Sequence, residues 1–169
     1  AETSIDGAFT PGVTATCPTG EAADGSTCPE LSVTRDEMAQ FMWRSKGQPA
    51  PATTASFEDV PADATYNTAV DWLAEQEITL GCTTTTYCPD GTVTRAEMAA
   101  FLWRLEGSPE GSAPAGFGDV PDGAFYDDAA DWLLAARVTT GCTTSSYCPQ
   151  DLVTRAEMFT FLKRLDTPS

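Results

Sequence analysis

Histidine is missing from all 169 residues, which removes the commonest zinc ligand and the commonest general base together. Positive charge is scarce: 9 Lys and Arg face 25 Asp and Glu, for a net charge of −16. Such a field repels phosphate backbones and anionic membrane surfaces, so the composition excludes nucleic acid as a partner. Long apolar runs are absent as well; nothing approaches the ~20 residues that span a bilayer, and no membrane insertion is expected. The first residue is Ala1 rather than Met. That fits a secreted protein after removal of its signal peptide, although a trimmed chain would start the same way.

Six cysteines are present, an even number that suits an extracellular, disulfide-stapled protein. Cys82 and Cys88 recur as Cys142 and Cys148 with the same C-x5-C spacing, and Cys17 and Cys28 occupy the equivalent place with a longer loop. Local disulfides Cys17–Cys28, Cys82–Cys88 and Cys142–Cys148 are the simplest pairing, each contributing about 2 kcal/mol through chain entropy. A Cys-only zinc site across repeats is the rival, but the spacing is not the C-x2-C of zinc ribbons.

The chain aligns with itself at a period of 60 residues: "CPELSVTRDEMAQFMWR" at 28, "CPDGTVTRAEMAAFLWR" at 88 and "CPQDLVTRAEMFTFLKR" at 148. The stretch from Phe57 to Cys82 likewise matches that from Phe117 to Cys142, and nothing like it precedes Cys17. The chain therefore reads as an N-terminal tail (1–16), a half repeat (17–49) and two full repeats (57–107 and 117–166), with Pro- and Gly-rich linkers at 46–56 and 107–116.

Each half repeat predicts one helix. Thr94 and Glu97 form a T-x-x-E capping box, repeated by Thr34/Glu37 and Thr154/Glu157. Met98, Phe101, Leu102 and Leu105 make an i, i+3, i+4, i+7 stripe, and Gly107 stands where a C′ glycine ends a helix. Tyr66, Ala69, Val70 and Leu73 form a second stripe, matched by Tyr126, Ala129, Ala130 and Leu133. Neither helix buries enough alone, so the units should pack together. The expected fold is mainly α: tandem helix-loop-helix repeats of about 60 residues in one compact bundle, with disulfide-stapled loops and little or no sheet.

The order F-x-D-V-P, amphipathic helix, turn to Gly, C-P loop and V-T-R-A-E-M resembles the S-layer homology (SLH) family. The resemblance covers most of the chain: 57–166 as two complete units and 17–49 as a second half. It implies a non-catalytic helical module, usually three units around a pseudo-threefold axis, that attaches secreted proteins to acidic glycopolymers of the bacterial cell wall. It also implies that Arg35, Arg95 and Arg155 line the sugar groove. A guanidinium fork suits a carboxylate, and a helix N-terminus adds positive potential. Alternatively, each arginine bridges a neighbouring unit's Asp59 or Asp119. Trp103, with Trp43, lies off the apolar stripe and either meets a sugar or covers a neighbour's flank. Glu77 and Arg137 replace a glycine usual in the family, which predicts a different loop path beside the groove. No metal, cofactor or catalytic residue is expected, because carboxylates this numerous are by default solvated.

A second reading starts from the half repeat. A helix beginning at Arg35 with no preceding partner would expose Met38, Phe41 and Met42, each worth roughly 1.5–3 kcal/mol when buried. Ile5, Phe9 and Val13 of the tail, spaced by four, could cover that face. They could do so within one chain, or be donated to the next subunit to build a filament or layer as a homopolymer. A third reading, an anchor belonging to a larger enzyme, stays open.

Overall fold

Three helices start in the same way, and each start is completed by the next unit. The computed structural model describes residues 28–55 and 57–166. It contains α1 (Arg35–Ser45), α2 (Asn67–Glu75), α3 (Arg95–Leu105), α4 (Asp127–Ala135) and α5 (Arg155–Asp166). The capping box forms as expected at α3, where Glu97 N donates to Thr94 Oγ1 at 3.3 Å and Thr94 N to Glu97 Oε2 at 2.9 Å. It recurs at α5 between Thr154 and Glu157. The amides just ahead of the capped one find partners elsewhere. Arg35 N and Asp36 N donate to the carbonyls of Gly91 and Pro89, Arg95 N and Ala96 N to Asp151 and Pro149, and Arg155 N and Ala156 N to Leu31 and Pro29.

These bonds run in a circle. The Cys-Pro loop of the second unit caps α1, that of the third caps α3, and that of the first caps α5. At the centre, Val33 N donates to Val153 O, Val153 N to Val93 O and Val93 N to Val33 O, at 2.8–3.0 Å. All three valines are fully buried. Three isolated antiparallel bridges, Ser32 with Thr154, Thr34 with Thr92 and Thr94 with Leu152, are the β-structure among the described residues. The result is a mainly helical bundle around a pseudo-threefold axis, with Met38, Met98 and Met158 packed inside.

Helix pairing departs from the expectation that α1 stands without a partner. α2 lies on α1 and α4 lies on α3, so the first helix of each unit covers the second helix of the unit before it. Met38, Phe41 and Met42 are accordingly buried. The flank left without a described helix belongs to α5. There the small buried residues of α3, Ala96, Ala99 and Ala100, are replaced by exposed Ala156, half-buried Phe159 and exposed Thr160. Both linkers are pinned: the Trp43 and Trp103 indoles donate to Pro49 O and Pro109 O, and Asp71 and Asp131 accept from Ala55 N and Ala115 N.

Gly107 sits at φ +81 and ends α3 as expected, its N–H on Arg104 O and that of Ser108 on Trp103 O. The same Schellman pattern ends α4 without a glycine: Arg137 N bonds Leu134 O, Val138 N bonds Leu133 O, and Arg137 takes φ +59. Glu77 does likewise after α2 at φ +56. At both positions a side chain holds the left-handed conformation that a glycine adopts freely, at a cost of roughly 1–2 kcal/mol. At Gly141 a side chain would force its neighbours to shift. A Cβ would lie 2.5 Å from the carbonyl oxygens of Thr143 and Ser146 and 2.7 Å from the Phe117 ring. Arg137→Gly should raise the thermal midpoint by relieving strain, worth up to about 1 kcal/mol. Gly141→Ala should lower stability by about 1–3 kcal/mol, and thermal unfolding by circular dichroism reads both.

Candidate functional site

Each repeat arginine leaves the first turn of its helix and crosses to the next unit. Arg35 Nε donates to Tyr87 O and Arg95 Nε to Tyr147 O, both at 2.8 Å. The tyrosines return the contact: Tyr87 and Tyr147 donate their hydroxyls to the carbonyls of Arg35 and Arg95, and each guanidinium carbon stands 4.9 Å from the ring centroid. Burial pushes both tyrosine hydroxyls well above their ordinary pKa, with the facing arginine pulling the other way. They remain neutral donors. Arg35 and Arg95 also approach Glu97 and Glu157 at 3.5 Å. Those carboxylates are a third or more exposed, so the pairs are worth little.

One terminal nitrogen, Nη2, of both Arg35 and Arg95 is buried without a hydrogen-bond partner. A buried unmatched donor costs about 1–3 kcal/mol. Arg95 lines a groove of about 260 Å³ together with Thr139, Thr140, Gly141, Thr160 and Arg164. Arg164 Nη1 is held by Val138 O at 2.8 Å, just as Arg104 is held by Ile78 O. The groove therefore gathers two guanidinium groups, the Glu157 carboxylate and several hydroxyls in a protein that is otherwise strongly acidic. The helix N-terminus contributes little, since its first amides are already bonded to the neighbouring loop.

Arg155 sits in a different environment. By the 60-residue period the position of Tyr87 and Tyr147 falls at Thr27, outside the described residues. Arg155 pairs with Glu37 through both Nε and Nη2, and both side chains are more than nine-tenths buried. This pair joins the last unit to the first. Glu37 also keeps the capping box expected of it, with Thr34 N donating to its carboxylate at 3.4 Å while Thr34 Oγ1 donates to Asp36.

Asp59 and Asp119 are not the partners of these arginines. Asp59 accepts from Tyr87 N and Cys88 N, both at 2.7 Å, and Asp119 from Tyr147 N and Cys148 N at 2.7 and 2.8 Å. Burial pushes the Asp119 carboxyl up, but the two amides, with help from Arg95, outweigh it and hold the group below its ordinary 3.8. These aspartates fix the carbonyls on which Arg35 and Arg95 rest. The loops themselves are closed by Cys82–Cys88 and Cys142–Cys148, so those cysteines hold no zinc. Cys28 is disulfide-bonded too; its expected partner Cys17 lies outside the described residues, as do Ile5, Phe9 and Val13. Trp103 stands apart from the arginines, in a cleft with Pro109, Glu110, Asp128 and Asp131.

The S-layer homology domain model matches residues 56–99 and 116–159, just over half of the chain. The chain belongs to the S-layer homology domain family. Its fold is that of this non-catalytic module, and family membership places it outside the cell, at the surface. No described helix is long and apolar enough to cross a membrane. Among similar proteins, Endo-1,4-beta-xylanase A of Thermoanaerobacterium saccharolyticum is 33% identical over 114 residues, covering 66% of this chain and 10% of that protein. Exoglucanase XynX of Acetivibrio thermocellus is 32% identical, covering 66% of this chain and 10% of that protein. Amylopullulanase of Thermoanaerobacterium thermosulfurigenes is 33% identical, covering 61% and 5%. The SLH chain thus spans a tenth or less of the length of these relatives.

Arg164 and the two tyrosines went unnoticed in the sequence, and Glu37 was read only as a capping residue. The arginine was visible in retrospect, because Arg44, Arg104 and Arg164 recur at the period of the repeat. Arg155→Met should cost about 3–5 kcal/mol by stranding the Glu37 charge, measured by urea unfolding. The depressed Asp119 stabilises the fold above the ordinary carboxyl value, and that contribution is lost as pH falls through its lower folded value. Asp119→Asn should therefore be less stable at neutral pH and lose less stability on acidification below about pH 5, read from unfolding midpoints across pH.

Proposed function

We propose that this segment attaches the protein that carries it to an acidic polysaccharide of the cell wall, with the Arg95 groove receiving a carboxylate of the sugar. The observation that carries the reading is the buried Arg95 guanidinium with an unmatched nitrogen, beside a groove that also holds Arg164 and three threonines. A planar fork matches a carboxylate, and a partly desolvated site strengthens the bond. Arg35 makes the same contact with its tyrosine and leaves the same nitrogen unmatched, but the flank beside it is closed by α4, with Ala96 and Ala100 buried, so no second groove is assigned there. Arg155 belongs to the ring closure with Glu37 and is left out of the binding set. The match to short segments of long enzymes supports attachment as the shared task.

Assembly into a filament through the tail has weaker support, since the α1 face it was to cover is already filled. The test of wall attachment is co-sedimentation with purified cell wall. Arg95→Lys, which keeps the charge but loses the fork, and Arg164→Ala should each weaken retention about tenfold or more while the circular dichroism spectrum stays unchanged. Undiminished retention of both folded variants would remove the groove from the reading.

A further inference from the structure

The C-terminal ends of α1, α2 and α3 frame a groove of about 630 Å³, more than twice the volume of the groove at Arg95. Its size falls among small-ligand pockets, which run to about 300–1,000 Å³. We infer that this groove binds an uncharged sugar unit of the wall polymer, as a second point of attachment that needs no carboxylate. The inference rests on wall attachment for the source of the sugar, but not on the Arg95 groove. Two such points on one polymer reinforce each other, because the second binds at the local concentration set by the first.

The lining combines apolar surface with planar polar groups whose charges cancel. Pro49, Ala50, Trp72, Ile78 and Leu105 supply the apolar part, and Glu75, Gln76 and Arg104 the polar part. Lys46 also reaches the groove, but its ammonium is already paired with Glu106 at 2.7 Å. That leaves one guanidinium against one carboxylate, and the helix C-terminal ends add negative potential, so an anion gains little here. A sugar ring offers what this lining can use: a C–H face for the apolar side, and neighbouring hydroxyls that both donate and accept. Arg104 keeps donors for them, since Ile78 O takes only its Nη1, at 3.3 Å. Glu75 accepts from Ala52 N through Oε2 at 2.8 Å, which leaves Oε1 to accept from a hydroxyl.

Trp72 gives an independent indication. Trp43 and Trp103 donate their indole N–H groups to linker carbonyls. Among the described residues no acceptor meets that of Trp72, although the side chain is only 8% exposed. A donor so nearly buried needs a partner, and a sugar hydroxyl in the groove supplies one. The repeat gives another. At the period of 60 residues, Ala135 and Ala136 stand in the places of Glu75 and Gln76, and Glu110 in that of Ala50. α4 ends in the same hydrogen-bond pattern as α2, so ending the helix does not require the polar pair. The pair occurs only at the seam where the groove is found.

The test titrates the chain with soluble wall polysaccharide whose carboxylates have been reduced to alcohols, followed by the indole N–H resonances in proton–nitrogen NMR. Trp72→Phe identifies the Trp72 signal. That signal should shift saturably with the reduced polymer. Ala50→Trp, which fills the groove from an exposed position, and Gln76→Ala, which removes an exposed amide, should each weaken the binding at least about fivefold. Arg95→Lys should leave it unchanged. A Trp72 signal that does not move, or binding that Ala50→Trp leaves intact, overturns the inference. So does a shift seen with the native polymer and lost on reduction, because the groove would then read a carboxylate. Failure of the Arg95 reading shows separately, as native-wall retention that Arg95→Lys does not change.

Discussion

The structure depends on a single exchange of hydrogen bonds, in which carbonyls of one unit's Cys-Pro loop cap the exposed amides at the start of the previous unit's second helix. A helix leaves its first amides unsatisfied, and here side chains satisfy only part of that need. The remainder comes from another repeat, so a unit cannot complete its helix alone. Three such exchanges close on themselves around Val33, Val93 and Val153. Cooperativity is built in at the level of the backbone rather than only through hydrophobic contact.

The loop features serve that exchange. The disulfides close the loops, Asp59 and Asp119 hold the amides beside the second cysteine of each, and Gly81 and Gly141 let the chain pass too close for any Cβ. The repeat arginines lie between loop and helix, with nitrogen on a loop carbonyl and ring face on a tyrosine. At the junction of the last and first units a buried Arg155–Glu37 pair is added. The pseudo-symmetry is thus broken in chemistry.

Strong net negative charge and attachment to an acidic polymer look incompatible until the charges are placed. The repulsion acts over the whole surface and is screened within about 8–10 Å by salt. In the proposed attachment the Arg95 guanidinium would act at contact distance, where water is largely removed. An acidic module can therefore stay dispersed in solution and bind an anion only where a seam between repeats offers a donor fork. Adhesion of this kind asks for no reacting group.

Much of the fold was readable from residue order. The 60-residue period, the capping boxes, the stripes and Gly107 specified five helices and their ends, because each signal acts over a few neighbouring residues. The cysteine spacing specified two loops for the same reason. What local signals could not convey was which helix covers which. α2 and α4 pack on the preceding unit, so α1 is covered, and among the described helices α5 is the one that lacks such a partner. The arginines were likewise found by their recurrence, yet their partners are Tyr87, Tyr147 and Glu37, separated from them by 52 or 118 residues. Sequence determined the elements and the side chains each offers; only closure of the ring decided which of them meet, since that rests on contacts between units that no single repeat contains.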